Sequence, residues 1–380
     1  MGQLRDVERV FVQCLPGLER VLEIEARSLG RVRRMSGGVE VEGLPGLHAQ
    51  AALVLRVADR VLLRLVDVPA QRWEQVESVI RGASLDAVAG PGAVVALESV
   101  LRIPSAPAPR ALAAMLGKAW RRPVEMDGRE GRESGVPRLL LRAAEGSVSL
   151  SADVGGELLH RRGWRQETSR APMRETLAAG VLALAGYVSQ QPLRDPVCGS
   201  GTLVIEAALA ARSIAPGLGR SFSAEHWPAA ARVDWAGRRD QLRIAVRPRA
   251  PASIVGSDLN AGALGTARRN ARRAGVLEDL RLERVDVAAA TPGTDLPGLV
   301  VGNLPYGLRV GAAAGLEAFD AALARTLAGA FRGWRKALLV DDEARLARAG
   351  GGKPHRIHRL VNGGLPVVLG VWESGPSEGV

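Results

Sequence analysis

From residue 172 onward the chain alternates short apolar runs with stretches of helical periodicity, and this alternation constrains the fold more than any other feature. Apolar runs at 254–256, 280–285, 299–301 and 337–340 are each separated by helical sequence. A strand followed by a helix and another strand pairs in parallel, because the crossover returns the chain to the same end of the sheet. A helical stretch at 173–188 comes first, and Asp195 is expected to close an opening strand, although the residues before it are only weakly apolar. The tail carries apolar runs at 357–361 and 367–371 around Asn362-Gly363-Gly364, which reads as a hairpin about an Asn-Gly turn. The expected architecture is α/β: a doubly wound, Rossmann-like parallel sheet finished by an antiparallel hairpin.

The first 155 residues pattern differently. Val10-Phe11-Val12 is a brief strand-like run. Leu18, Val21, Leu22, Ile24 and Leu29 recur at roughly helical spacing, with Gly30 placed to close that helix. Val39-Glu40-Val41-Glu42 alternates as a strand does. A helix is expected over 51–60, strands at 61–66, 93–97, 139–142 and 147–153, and another helix at 111–120 after Pro104, Pro107 and Pro109. This half reads as α+β and holds no glycine-rich phosphate loop.

Composition narrows the function classes. A chain of 380 residues with 47% hydrophobic and 24% charged residues can bury two or three cores. No apolar stretch reaches the length of a membrane span, and the start, Met1-Gly2-Gln3-Leu4-Arg5-Asp6, lacks the basic-then-apolar layout of a signal peptide. The expected location is cytoplasmic. Cys14 and Cys198 are the only cysteines, so no disulfide framework or cysteine-rich zinc site is available, and no metal is expected. The net charge of +11 is almost wholly arginine, since lysine occurs only at Lys118, Lys336 and Lys353. A GC-rich genome also produces arginine, so the clusters carry more weight than the total. They are Arg31-Val32-Arg33-Arg34, Arg121-Arg122, Arg161-Arg162 with Arg165, and His355-Arg356 with His358-Arg359. The guanidinium fork grips phosphate oxygens in pairs, and RNA contact is expected, with no individual arginine assigned to it.

Asp195-Pro196-Val197-Cys198-Gly199-Ser200-Gly201-Thr202 has the form of a strand-to-helix turn for an adenosyl cofactor. Gly199 and Gly201 let backbone approach a ligand where a side chain would collide. A carboxylate at Asp195 can organise the loop and attract an ammonium group, and a helix opening at Thr202 offers free N–H groups to a carboxylate. A nicotinamide fingerprint would need a third small residue where Val204 stands, and a phosphate-binding P-loop would need Gly-Lys-Ser/Thr. Asp258 follows the apolar run at 254–256 and is placed to accept both ribose hydroxyls. Asp286 follows Val285 and could accept from an adenine amine or simply cap a helix. Leu259 and Val287, which follow the two aspartates, join the expected cofactor set.

Asn303-Leu304-Pro305-Tyr306-Gly307 follows the apolar run at 299–301. An exocyclic amine on a base carries two protons and a lone pair delocalised into the ring. The Asn303 side-chain carbonyl and the Leu304 main-chain carbonyl can each accept one proton, which localises the lone pair for attack on a methyl donor. Tyr306 supplies a face for stacking the extracted base. A pyrimidine C5 mechanism would place Pro-Cys where Leu304-Pro305 stands. Taken with the glycine turn, the motif points to transfer from S-adenosyl-L-methionine (SAM) to a base nitrogen.

These motifs, in this order, resemble the bacterial THUMP-domain RNA methyltransferases, the group that contains the large-subunit rRNA guanine-N2 methyltransferase L. Cys14-Leu15-Pro16-Gly17-Leu18-Glu19 and Ser36-Gly37-Gly38-Val39 match the family's opening. Leu158-Leu159-His160-Arg161-Arg162-Gly163-Trp164-Arg165 and Ala171-Pro172-Met173-Arg174-Glu175-Thr176 resemble its domain junction, with Thr176 in the helix flanking the cofactor. Ala215-Pro216-Gly217, Gly256-Ser257-Asp258 and Arg359-Leu360-Val361-Asn362-Gly363 complete the set. The resemblance implies an N-terminal ferredoxin-like region at 1–50 and a THUMP RNA-binding region at 51–155. A linker at 156–171 and a class I SAM-dependent methyltransferase domain at 172–380 follow. It implies SAM as cofactor and structured RNA as partner, rRNA first and tRNA second, with guanine N2 the target and adenine N6 open to the same pocket chemistry. A non-catalytic RNA-binding relative is the alternative from another class. The chain departs from the family at Leu304, where Asn-Pro-Pro-Tyr is usual, and loses there the ring that fixes φ.

Overall fold

The structure is a computed structural model that describes residues 7–126, 135–144, 146–166, 173–305 and 313–374. It divides into two compact units. The first comprises Met1–Cys14, Leu22–Leu159 and Gly219–Gln241; the second comprises Leu15–Val21, His160–Leu218 and Leu242–Val380.

The first unit is built on a mixed sheet. Its leading part runs β1 (Glu8–Cys14), α1 (Glu19–Ala26), β2 (Arg31–Met35), β3 (Gly38–Gly43), α2 (Leu47–Val54) and β4 (Ala58–Pro69). The strands lie in the order β2-β3-β1-β4, as in ferredoxin-like folds. Val10 and Val12 point into the core while Phe11 and Gln13 take the other face, the two-residue period of a half-buried strand. The chain continues through α3 (Trp73–Arg81), β5 (Val95–Leu101), α4 (Pro109–Trp120), β6 (Val124–Met126), β7 (Arg138–Ala144) and β8 (Ser147–Asp153). These strands extend the same sheet as β4-β8-β7-β5-β6, giving eight strands among the described residues. Trp73, Val76 and Ile80 form the buried stripe of α3, and the Trp120 indole donates to the Ile80 carbonyl at 2.9 Å.

The segment Gly219–Gln241 comes from the middle of the later sequence yet packs within the first unit. Trp227 stacks on His48 with ring centroids 6.1 Å apart, Phe222 stacks on Trp235 at 5.5 Å, and Arg238 donates to Gln50.

The second unit runs α5 (Glu175–Leu184), β9 (Leu193–Asp195), α6 (Thr202–Ala211), α7 (Trp235–Ile244, shared with the first unit), β10 (Ile254–Ser257), α8 (Ala261–Arg273), β11 (Leu280–Glu283), β12 (Leu299–Asn303), α9 (Ala313–Ala328), β13 (Arg335–Val340), α10 (Glu343–Gly350), β14 (Arg356–Asn362) and β15 (Leu365–Trp372). Its sheet has the order β11-β10-β9-β12-β13-β15-β14, which is 3-2-1-4-5-7-6 counted within the unit. The seventh strand, β15, runs antiparallel to both neighbours, as the terminal hairpin predicts. The strand order reverses between β9 and β12, so the crevice beyond their carboxyl ends is where an open α/β sheet takes its ligand. Two motifs far apart in sequence pack together in this unit. A Cβ on Gly17, whose φ is +91°, would stand 2.3 Å from the Arg359 carbonyl of β14.

Several sequence-based boundaries shift. The helix expected over 51–60 is α2, which ends at Val54, and β4 already begins at Ala58. Gly30 does not cap α1; the helix ends at Ala26, and Gly30 lies against β3, where a Cβ would meet the Glu42 carbonyl at 2.1 Å. Pro109 opens α4 at its first turn, where its missing N–H has no intrahelical partner to lose. In the terminal hairpin Asn362 pairs with Leu365, so the two turn residues are Gly363 and Gly364, with φ +59° and +86°.

Candidate active site

The carboxyl ends of β9, β10 and β12, with the turns after them, enclose a cavity of about 380 Å³. From the glycine turn it is lined by Asp195, Pro196, Val197, Cys198, Gly199, Ser200 and Thr202; from the later strand ends, by Asp258, Leu259, Asp286, Val287, Asn303, Leu304 and Pro305. The sequence motifs therefore converge although more than one hundred residues separate the first from the last.

Backbone bonds shape the turn. Asp195 Oδ1 accepts from Val197 N at 3.0 Å, Cys198 N donates to the Ser257 carbonyl at 2.9 Å, and Gly201 N closes back on the Cys198 carbonyl at 2.8 Å. Gly199 and Gly201 both have positive φ, +55° and +85°. Their roles differ. A Cβ at Gly199 would meet nothing within 4 Å, so that glycine serves the conformation and leaves the pocket side open. Gly201 is not a pocket-lining residue; a Cβ there would press on Ala267 of α8 at 3.0 Å, so it permits close packing of helices rather than approach to a ligand. Asn270, fully buried in α8, donates to the Ser200 carbonyl at 3.3 Å.

Asp258 ties the turn to the second strand. Its Oδ2 accepts from Gly199 N at 2.9 Å and its Oδ1 from Asn260 N at 2.8 Å. Each carboxylate oxygen retains acceptor capacity beyond these bonds. Leu259, next to it, is 59% exposed at the rim, an apolar surface that a flat ring would cover. Asp286 caps the short turn that follows β11, accepting from Ala288 N at 2.8 Å, while it also lines the cavity. An open pocket with two carboxylates on one wall and an apolar rim beside them fits a nucleoside cofactor.

Asp195 is 1% exposed, and burial followed by the nearby Asp258 charge pushes its carboxyl up to about 8, against the Val197 N–H and Arg194. Between the ordinary value of 3.8 and about 8 the unfolded chain gives up this proton while the folded chain keeps it. Rising pH through that window therefore favours unfolding. Asp195→Asn is expected to flatten that part of the stability profile, read as the midpoint of thermal unfolding between pH 4 and 8. A variant with the parent's slope would show that Asp195 is ionised in the fold. Burial, with Asp195 and Asp258 beside it, raises the Cys198 thiol well above its usual range, which leaves it inert as a nucleophile.

The Asn303 segment lines the same cavity. Asn303 ends β12, and its Oδ1 is buried with no hydrogen-bond partner. Buried acceptors are rarely left unpaired, and Asn303 is among the residues that line the cavity. Leu304 N donates to the Leu339 carbonyl at 3.0 Å, and its side chain is fully buried in the core with Leu323, Leu338 and Phe331. A proline at this position could not make that bond. The stiffness expected to be lost with the ring is thus recovered by a strand bond and by packing. Tyr306 and Gly307 lie outside the described residues, as do Ala171 and Pro172.

Thr176 is fully buried within α5 and is not a lining residue; Met173, just before that helix, is. The sequence reading also missed Leu203, Val285 and Phe319 on the pocket wall, ordinary core residues by pattern. Several members of the arginine clusters, none of them assigned to RNA from sequence, turn inward. Arg165 donates to the Met173 carbonyl and to Thr202 Oγ1, both at 2.8 Å, with Glu175 at 3.2 Å as counter-ion. Arg162 is buried against Glu206 at 3.0 Å, and Arg122 is buried on the Ala89 and Trp120 carbonyls. These three brace the interior and cannot reach phosphate. Arg33 and Arg359 pair with Glu40 and Glu343 at 2.8 and 2.7 Å. Among the described residues no cluster of three metal-ligating side chains occurs, and no helix is long and apolar enough to cross a membrane.

A 3-2-1-4-5-7-6 sheet with its cavity at the switch point defines the second unit as a methyltransferase-type α/β domain. The chain belongs to the RMKL-like methyltransferase family: the profile of that domain matches residues 162–369, and the RlmL ferredoxin-like domain matches residues 9–62. It is 32% identical to the ribosomal RNA large subunit methyltransferase K/L of Syntrophotalea carbinolica, with 94% of this chain aligned. The chain spans 52% of that relative's length. Among solved structures, SMU.472, a methyltransferase candidate complexed with SAH, superposes with a TM-score of 0.84 at 24% identity, covering 99% of this chain and 100% of that one. A protein of Listeria monocytogenes, named as a predicted N6-adenine-specific DNA methylase, gives 0.83 at 27% identity, covering 97% of each chain.

Proposed function

We propose that the chain transfers a methyl group from SAM to the N2 amine of a guanine in RNA, with 23S rRNA as the substrate. The single observation that carries this reading is Asn303, whose Oδ1 has no hydrogen-bond partner, lining the same cavity as the glycine turn and Asp258. Family membership and the name of the Syntrophotalea relative support methyl transfer and large-subunit rRNA.

In this reading Asp258 holds the ribose, Leu259 and Val287 flank the adenine, and Asp286 accepts from its amine. Bound SAM supplies a methyl group on a sulfonium, open to attack by a nitrogen lone pair. The chain's residues do the rest. Asn303 Oδ1 and the Leu304 carbonyl each accept one hydrogen bond from the amine, which turns the lone pair out of the ring plane, and the methylated nitrogen then releases one proton to solvent. That arrangement stabilises positive charge as it develops on nitrogen, an electrostatic effect fixed before reaction begins. Tyr306 stacks the extracted base. Residues 1–50 and 51–155 act as the ferredoxin-like and THUMP parts that grip RNA, and residues 172–380 carry the chemistry.

Mass spectrometry of nucleosides from rRNA and tRNA, purified separately from cells with and without this gene, tests the assignment. N2-methylguanosine is expected to fall in 23S rRNA alone. A loss confined to tRNA would move the substrate, and a loss of N6-methyladenosine would move the target atom.

A further inference from the structure

Behind the pocket, the backbone of Asn303-Leu304-Pro305 is held by a side chain that the reading above does not use. Arg345 in α10 is 4% exposed. Its Nε and Nη2 donate to the two carboxylate oxygens of Asp320 at 2.8 and 2.7 Å, and its Nη1 donates to the Pro305 carbonyl at 2.8 Å. The same Nη1 stands 3.4 Å from Asp341 Oδ1, just past the end of β13. Asp320 is wholly buried in α9, one residue beyond Phe319 of the pocket wall. One guanidinium thus joins α9, α10 and the end of β13 to the main chain at the pocket's edge.

Charge balance alone does not call for this arrangement. Asp320 already has a second cation, Arg348, whose Nε lies 3.2 Å from Oδ2. A buried ion pair is also a weak source of stability, because desolvation offsets most of its attraction. What Arg345 adds, and Arg348 does not, is the donor to Pro305. A planar fork locked on two oxygens leaves its remaining amino group aimed in one direction, a task that a lysine ammonium on a flexible stem cannot perform.

We propose that Arg345, oriented by Asp320, is a positioning residue for methyl transfer: by holding the Pro305 carbonyl it fixes the peptide planes that present Asn303 and the Leu304 carbonyl to the target amine. This rests on the proposed reading of the site, and it adds a part of the machinery that touches neither cofactor nor base.

Arg345→Lys is the test, with Arg348→Gln as the control that perturbs Asp320 without touching Pro305. For Arg345→Lys, kcat is expected to drop by about 10²-fold, the scale that misplacement of about 1 Å produces. The KM for SAM should stay within about twofold of the parent, because the glycine turn and Asp258 are untouched. Arg348→Gln should keep the parent's kcat. Hydrogen exchange supplies a readout that needs no substrate: peptides covering 299–305 should lose protection in Arg345→Lys while those covering the glycine turn do not. An Arg345→Lys protein with the parent's kcat and protection overturns the proposal. So does one that is unfolded at the assay temperature, or whose loss of rate is matched by Arg348→Gln, since either outcome assigns the group to the core. A parent protein that methylates no RNA would instead overturn the proposed function, and the exchange result would still judge the clamp.

Discussion

Asn303→Ala is expected to slow single-turnover methyl transfer by about 10²–10³ with saturating RNA, the usual effect of losing one preorganised partner of the developing charge. The structure makes this an unusually clean substitution. The Asn303 Oδ1 accepts no hydrogen bond in the fold, so its removal leaves no donor inside the protein without a partner. The thermal midpoint and the SAM affinity should therefore change little. If the bond to the amine strengthens only as charge appears on nitrogen, the loss falls on the chemical step and not on binding. Retention of most of the single-turnover rate would refute this active site.

The second large effect is expected on cofactor affinity. Asp258→Ala removes the proposed ribose acceptor and also the carboxylate that anchors Gly199 N and Asn260 N. A hydrogen bond to a charged group contributes roughly 1.5–3 kcal/mol, so losing two at the ribose weakens SAM by about 10²-fold or more. Loosening of the glycine turn acts in the same direction. Asp258→Asn keeps one carbonyl oxygen and should fall between the two. Titration calorimetry reads both variants directly, and an unchanged dissociation constant in the alanine variant would remove Asp258 from the cofactor site.

The parts legible in the sequence are those whose physics is local. β10, β12 and β13 are covered on both faces and read as continuous apolar runs, and the carboxylates at strand ends follow from the same pattern. β2 was invisible because its side chains give no apolar period. Arg31, Arg33 and Arg34 face outward, and the strand is defined by its pairing with β3. The same lack of local signal hid the membership of Gly219–Gln241 in the first unit, which depends on His48 and Gln50 meeting residues nearly two hundred positions away. At the site, Asp258 and Asn303 could be placed from strand ends, whereas Asn270 on Ser200, Arg165 on Thr202 and Arg345 on Pro305 are bonds across 70, 37 and 40 residues. Arginine could not be assigned from sequence for a physical reason. It is at once the residue suited to phosphate and the one best able to brace a buried carboxylate, and only tertiary structure separates Arg162 and Arg345 from a surface cation.

Methylation of guanine N2 in large-subunit RNA by this pocket can be measured with the purified chain. SAM carrying an isotopically labelled methyl group is incubated with 23S rRNA from cells lacking the gene, and the digested nucleosides are weighed. Labelled N2-methylguanosine is expected with the parent protein and almost none with Asn303→Ala. Labelled N6-methyladenosine in its place, or equal label from both proteins, would contradict the proposed function.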